Sequence, residues 1–226
     1  MNKAILLAVF CSTIVLPMSV GAEEDKGVAS GILQTIESRL ELGQALAKVR
    51  ELRPLAVSVP GQPPRPAQPV VLVEARDHAG HASEIDLTNP IQAAQAISSS
   101  PQLITYKFVD GVLVSVSLSL RIDDVSNPKI PIALLVPLKR VMAEGTRKVI
   151  SQPAPRAGFL PAIEASMNGQ NVLLTWQQPP ERMGRPRTSR LTITNLSPSE
   201  LEGIKLQDYD AAIHSQFFSG LETILK

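Results

Sequence analysis

The sequence predicts an α+β fold, built mainly on an antiparallel sheet, and three observations carry the prediction. Residues 104–108 and 112–122 alternate apolar and polar side chains, the pattern of half-buried strands. Short apolar runs bounded by proline, glycine and asparagine recur as far as residue 196. Both ends of the chain carry helical periodicity. The full expectation is a C-terminal helix packed on the sheet, preceded by a helical arm and a proline-rich linker.

The chain opens with a leader. Lys3 supplies the positive n-region, residues 4–15 form an uncharged apolar run, and Pro17 breaks the helix. Ser19-Val20-Gly21-Ala22 places small residues at the minus-three and minus-one positions, so residues 1–22 read as a secretory signal peptide cleaved ahead of Glu23. The mature protein is therefore expected to be periplasmic or secreted. The alternatives are an inner-membrane anchor over residues 4–22, since about 18 apolar residues can span a bilayer, and acylation of Cys11. Phe10, where a small residue is wanted, argues against acylation.

Removing Lys3 and Cys11 with the leader leaves 204 of 226 residues, with 21 basic and 21 acidic side chains and no cysteine. Disulfides, thiol catalysis and cysteine metal sites are excluded, and a chain of this size can bury a core without covalent staples. Charge balance also argues against nucleic acid as a partner, which needs a basic field to displace counterions. Nineteen prolines and few aromatics describe a body interrupted by many turns.

Residues 23–53 form the helical arm. Leu33, Ile36 and Leu40 make one apolar stripe, and Leu42, Leu46, Val49 and Leu52 another on a different face, so two short contacts are expected rather than a heptad seam. Residues 54–69 hold six prolines in sixteen positions, which excludes helix, removes ladder donors and favours polyproline II. The segment reads as a spacer of roughly 50 Å between the arm and the body, with a proline-recognition ligand as the other reading.

Residues 70–226 form the α+β domain. A buried strand is expected over residues 70–75, then a helix opened by Asn89 as cap, Pro90 at N1 and Gln92 at N3 and ending near Ser98. A two-residue Asp110-Gly111 turn would put the apolar sets of the hairpin on opposite faces. A three-residue loop with a bulge at Gly111, pairing Phe108 with Val112, Tyr106 with Val114 and Ile104 with Val116, is predicted instead. Residues 130–136 read as an edge strand and 138–147 as a short helix. Further strands are expected over 162–167, 172–177 and 190–196, with Asn168-Gly169 turning between the first two. Ser197-Pro198-Ser199-Glu200 is a helix start, and residues 207–225 carry Ile213, Phe217, Leu221 and Ile224 at helical spacing.

Few residues point to chemistry. Asp77, His78 and His81, with Glu84 and Asp86 following, combine imidazole and carboxylate and form the candidate metal site, although the spacing fixes no geometry and a solvated turn is the preferred reading. No Gly-x-Ser-x-Gly elbow occurs, His214 reads as a helix-surface residue, and Asp123-Asp124 as a strand-ending turn, so no catalytic residue is assigned. Ser115, Ser117 and Ser119 share one strand face, a hydrated outer face or a surface for a partner strand. Arg182, Arg185, Arg187 and Arg190, opposed only by Glu181, make residues 179–190 a basic projection suited to phosphate or carboxylate and are the candidate partner-binding residues.

The leader, arm, spacer and α+β body together resemble adaptor proteins of bacterial envelope machines in architecture, with no shared motif. The expected function is an exported, non-enzymatic protein-interaction module, an accessory of an envelope assembly, secretion or transfer apparatus. It would have an envelope protein partner, need no cofactor, reach an anionic surface through residues 179–190, and touch a membrane only where residues 4–22 stay attached. The alternatives are a periplasmic metal-binding protein or hydrolase using His78 and His81, and a carrier of a small apolar ligand between sheet and terminal helix.

Overall fold

Alternation becomes strand through most of the chain in the computed structural model, which describes residues 28–59, 69–123, 130, 134–135, 138–139, 163–169, 171–178, 188–202 and 223. The helices are α1 (Val28–Ile36), α2 (Leu46–Leu52), α3 (Pro90–Ser99) and α4 (Pro198–Glu202). The strands are β1 (Val57–Ser58), β2 (Val70–Arg76), β3 (Ala82–Ser83), β4 (Gln102–Val109), β5 (Val112–Ile122), β6 (Ile163–Gly169), β7 (Val172–Gln178) and β8 (Ser189–Leu196). They form one antiparallel sheet in the order β1-β2-β4-β5-β8-β7-β6, with β3 also pairing to β2. The α+β class is thus met. The expected leader over residues 1–22, most of the expected linker, nearly all of the expected 207–225 helix, most of residues 124–162 and residues 179–187 lie outside the described residues.

One face of the sheet is apolar because strand side chains alternate across the pleat. Leu72, Ile104, Tyr106, Phe108, Val116, Leu118, Leu174, Leu191 and Ile193 line it, and burying each large side chain contributes about 1.5–3 kcal/mol. The same cluster contains Ile32, Leu33, Ile36, Leu40, Val49 and Leu52. Both apolar stripes of the N-terminal segment are therefore buried in the core of the sheet. The described part of residues 23–53 is integrated into the body and is not an arm held away from it.

Backbone bonds reinforce that union at the tip of the β4–β5 hairpin. Gly43 N donates to Leu113 O at 2.9 Å, Leu113 N to Gln44 O at 2.9 Å and Leu46 N to Gly111 O at 2.9 Å. Gly43 takes φ +91°, open to glycine at no steric cost, which lets the chain turn between the helices. The beginning of the proline-rich stretch also joins the sheet: Val57 and Ser58 pair with Val73 and Leu72. Residues 55–59 carry no proline, so their N–H groups remain available to a ladder, contrary to a polyproline reading of the whole stretch.

The hairpin corrects a second expectation. Its loop has two residues, Asp110 and Gly111, both at positive φ, with Val109 opposite Val112. The bulge lies inside β5 at Val114, between the Phe108–Leu113 and Lys107–Ser115 pairs. That extra residue restores the phase the turn alone would destroy, so Tyr106 meets Val116 and Ile104 meets Leu118. The parity of the register is as expected, but its position is two residues away.

Two smaller differences follow from local chemistry. Asn168 and Gly169 lie in β6, paired with Leu173 and Val172, and Asn171 takes the left-handed conformation that asparagine tolerates. Leu134, Leu135, Leu138 and Lys139 are helical, where residues 130–136 were expected as an edge strand. Leu134 and Leu138 are fully buried, at a spacing of four that suits one face of a helix.

The second face is polar and partly covered. Ser117 and Thr194 hydroxyls lie 2.8 Å apart, and Ser119 and Thr192 2.6 Å apart, so the serine row of β5 bonds to β8 of its own chain. Lys107 pairs with Glu200 of α4, whose start is capped by the Ser197 hydroxyl accepting from Glu200 N at 3.4 Å. Asn89 caps α3 as expected, its Oδ1 accepting from Ile91 N and Gln92 N. Ala93 and Ile97 of α3 seat that helix against Ala75.

Candidate functional site

Of the residues singled out in the sequence, Asp77, His78, His81 and Arg190 lie at one end of the sheet, where β2, β4, β5 and β8 begin or finish. The Asp77–His81 loop that leaves β2 is closed on itself. Asp77 Oδ1 accepts from Ala79 N at 2.8 Å and His81 N at 2.9 Å, Asp77 N donates to His81 O at 3.0 Å, and Gly80 takes φ +85°. The His81 backbone N–H, followed by that of Ala79, holds the Asp77 carboxyl below its ordinary value. His81 Nδ1 lies 3.5 Å from Asp77 Oδ2. Asp86 is engaged separately, its Oδ1 accepting from the Thr88 hydroxyl at 2.6 Å and the Thr88 N–H at 2.8 Å, which also lowers its pKa.

The structure therefore pairs Asp77 with His81 and leaves Glu84 and Asp86 apart from them. Among the described residues, no three histidine, cysteine or carboxylate side chains converge on a point where a metal could sit. An Asx-type turn is the arrangement these residues adopt.

Of the basic projection, Arg182, Arg185 and Arg187 lie outside the described residues, whereas Arg190 stands in β8 opposite Arg121. Both arginines address the C-terminal end of α3, where unpaired carbonyls carry partial negative charge. Arg190 Nη2 donates to Ser98 O at 3.3 Å and Arg121 Nη1 to Ser99 O at 3.1 Å. Burial, and then the Arg121 charge, push the Arg190 pKa down. Arg121 also meets Asp123 at 2.8 Å, and Thr188 donates to the same Asp123 oxygen at 3.1 Å. Partial burial pushes the Asp123 carboxyl up, but these donors and the nearby His78 outweigh it and hold the pKa low.

Beside this polar cluster, on the apolar face, lies a cleft of about 450 Å³. Its lining includes the apolar Ile36, Ile104, Leu118, Ile130 and Leu134 and the polar Thr35, Arg76, His78 and Gln102. The volume falls in the range of small-molecule sites, about 300–1,000 Å³. Because Thr35 and Ile36 belong to α1, the cleft exists only with the N-terminal helices seated.

Behind the cleft is a charge cluster that sequence reading passed over. Glu74, 1% exposed in the middle of β2, accepts from Arg53 Nε at 2.8 Å, from Arg53 Nη2, from Arg76 Nε at 2.9 Å and from the Tyr106 hydroxyl at 3.3 Å. Arg53 also donates to Ile36 O at 3.3 Å, at the end of α1, and lies 3.7 Å from Glu37. Burial opposes the Arg53 charge, yet the bonds and charges of Glu74 and its neighbours outweigh that and raise its pKa. Burial, then the Glu74 charge, raises the Tyr106 pKa far above 10.0. The one signal in the sequence was a lone glutamate in the apolar run VVLVEAR, which required a cation from elsewhere in the chain. Sequence spacing could not name Arg53 as that cation, 21 residues away.

These groups can bind, orient and close a helix end. Comparison with protein-family models, with curated proteins and with solved structures finds no match to this chain.

Proposed function

We propose that the protein is an exported, non-enzymatic interaction module that docks an envelope protein through the cleft end of its sheet. One observation supports this reading above the others. At that end the Asp77 and Asp123 carboxylates are engaged in a turn and an ion pair, while the open features are a cleft with Arg76 and His78 in its lining and the residues that flank the arginine-rich 179–190 segment. Such a surface serves recognition, since arginine forks read carboxylate and phosphate groups. Export is the reading of the leader, with periplasmic or secreted placement following cleavage after Ala22.

The test has two arms. Fractionation of the native host with N-terminal sequencing should find a chain beginning at Glu23 outside the cytoplasm, and a cytosolic chain that keeps Met1 contradicts export. Crosslinking with mass spectrometry should place an envelope protein against residues 179–190 or the cleft rim, with those crosslinks lost when Arg182, Arg185 and Arg187 are all changed to alanine. A protein that stays partnerless, or crosslinks that survive the triple change and avoid this end, contradicts docking.

A further inference from the structure

We propose that the cleft takes a small amphiphile with a carboxylate head, its alkyl part lying on Ile36, Ile104, Leu118 and Leu134 and its head against Arg76 beside His78. This goes beyond the docking reading, because it needs no protein partner and stands or falls on its own test.

The lining is mixed: aliphatic side chains from α1, β4, β5 and the helical residue Leu134 stand together with Thr35, Arg76, His78 and Gln102. A purely apolar ligand would strip water from those polar groups without replacing it, and a purely polar one would leave the aliphatic side chains wet. A molecule with both parts satisfies both. The head group follows from Arg76, because the Glu74 carboxylate that holds it is shared with Arg53, so one carboxylate stands between two guanidiniums. Glu74 holds Arg76 by its Nε. That fixes the plane of the guanidinium, whose other donors can then meet a carboxylate without further ordering of the side chain.

The probe is sodium octanoate, with 1-octanol and octylammonium chloride beside it, followed by methyl NMR of the full folded chain. Octanoate should shift the methyl signals of Ile36, Ile104, Leu118 and Leu134 saturably, and octanol and octylammonium should bind at least about tenfold more weakly, as expected for loss of one charge-assisted hydrogen bond. Arg76→Gln should weaken octanoate by a similar factor and leave octanol unchanged. Ala79→Trp, on the exposed turn at the cleft wall, should weaken octanoate and octanol alike without touching the Glu74 cluster, and it keeps the test valid should Arg76→Gln unfold. Non-saturating shifts, octanol binding as tightly as octanoate, or octanoate binding untouched by Ala79→Trp overturns the proposal.

Discussion

Two charged constellations lie within a few residues of each other in this chain, and they have opposite consequences. Glu74 sits in the middle of the sheet, with Arg53, Arg76 and Tyr106 around a carboxylate that is 1% exposed. Asp77, three residues on, sits in solvent and bonds to its own loop. Residue types alone favour the second, since it holds two histidines. Burial decides for the first, because an ionised group removed from water must be matched or it destabilises the fold. The buried cluster joins α2 to β2 and, through Arg53 and Ile36 O, to the end of α1, and so it holds one wall of the cleft in place.

The sharpest way to break this contrast is Glu74→Ala, which leaves the buried Arg53 charge without the carboxylate that holds two of its nitrogens. Loss of one partner of such a pair costs about 3–5 kcal/mol, read as a lower urea midpoint. The paired change Arg53→Met with Glu74→Leu should cost less than Glu74→Ala alone, because the most deeply buried cation leaves together with its carboxylate. A Glu74→Ala midpoint equal to that of the unchanged protein contradicts the assignment.

Tyr106→Phe comes next, at about 1 kcal/mol for one hydrogen bond. Its sharper signature is in pH. The folded pKa lies above 10.0, the unfolded value, so the native state keeps a proton that the unfolded chain releases. This contribution is whole below pH 10 and is lost as pH rises beyond it. The unchanged protein should therefore lose stability faster than Tyr106→Phe above pH 10, and parallel curves would contradict it.

A smaller effect belongs to the polar face. Ser119→Ala should cost about 1 kcal/mol by leaving Thr192 without its partner, whereas Ser119→Ala with Thr192→Val should be nearly neutral. Equal losses would show that the two hydroxyls do not act as a pair. Smallest of all, His78→Ala with His81→Ala should leave Tm unchanged, and zinc chloride should not raise the Tm of the unchanged protein. A zinc-dependent rise abolished by the double change would restore a metal site.

How far the sequence could be read follows the range of the forces involved. Local signals were legible: an apolar run located the strand expected over residues 70–75, alternation located those over 104–108 and 112–122, and the Asn89 and Ser197 caps located two helix starts. The bulge at Val114 was legible as a need, since some extra residue had to restore phase, but not as a place, because tertiary bonds from Gln44 and Ser197 to its neighbours help fix it. The seating of α1 and α2 was hidden, as the intervening prolines resemble a spacer whether or not the helices fold back. The cleft was hidden for the same reason, its walls coming from residues 35, 76, 104, 118 and 134. Of the candidate residues, His78 borders the cleft and Arg190 faces the end of α3, whereas Glu84 and Asp86 join neither.

The direct test of this account is native-state hydrogen exchange on the unmodified protein. The amides of Val49 and Arg53, bonded to Ala45 O and Val49 O, should open with the same free energy as those of Tyr106 and Val116, because helices and sheet share one core. Exchange at Val49 and Arg53 through a much cheaper opening, with Tyr106 and Val116 still protected, would show a detachable arm and remove the wall on which the cleft depends.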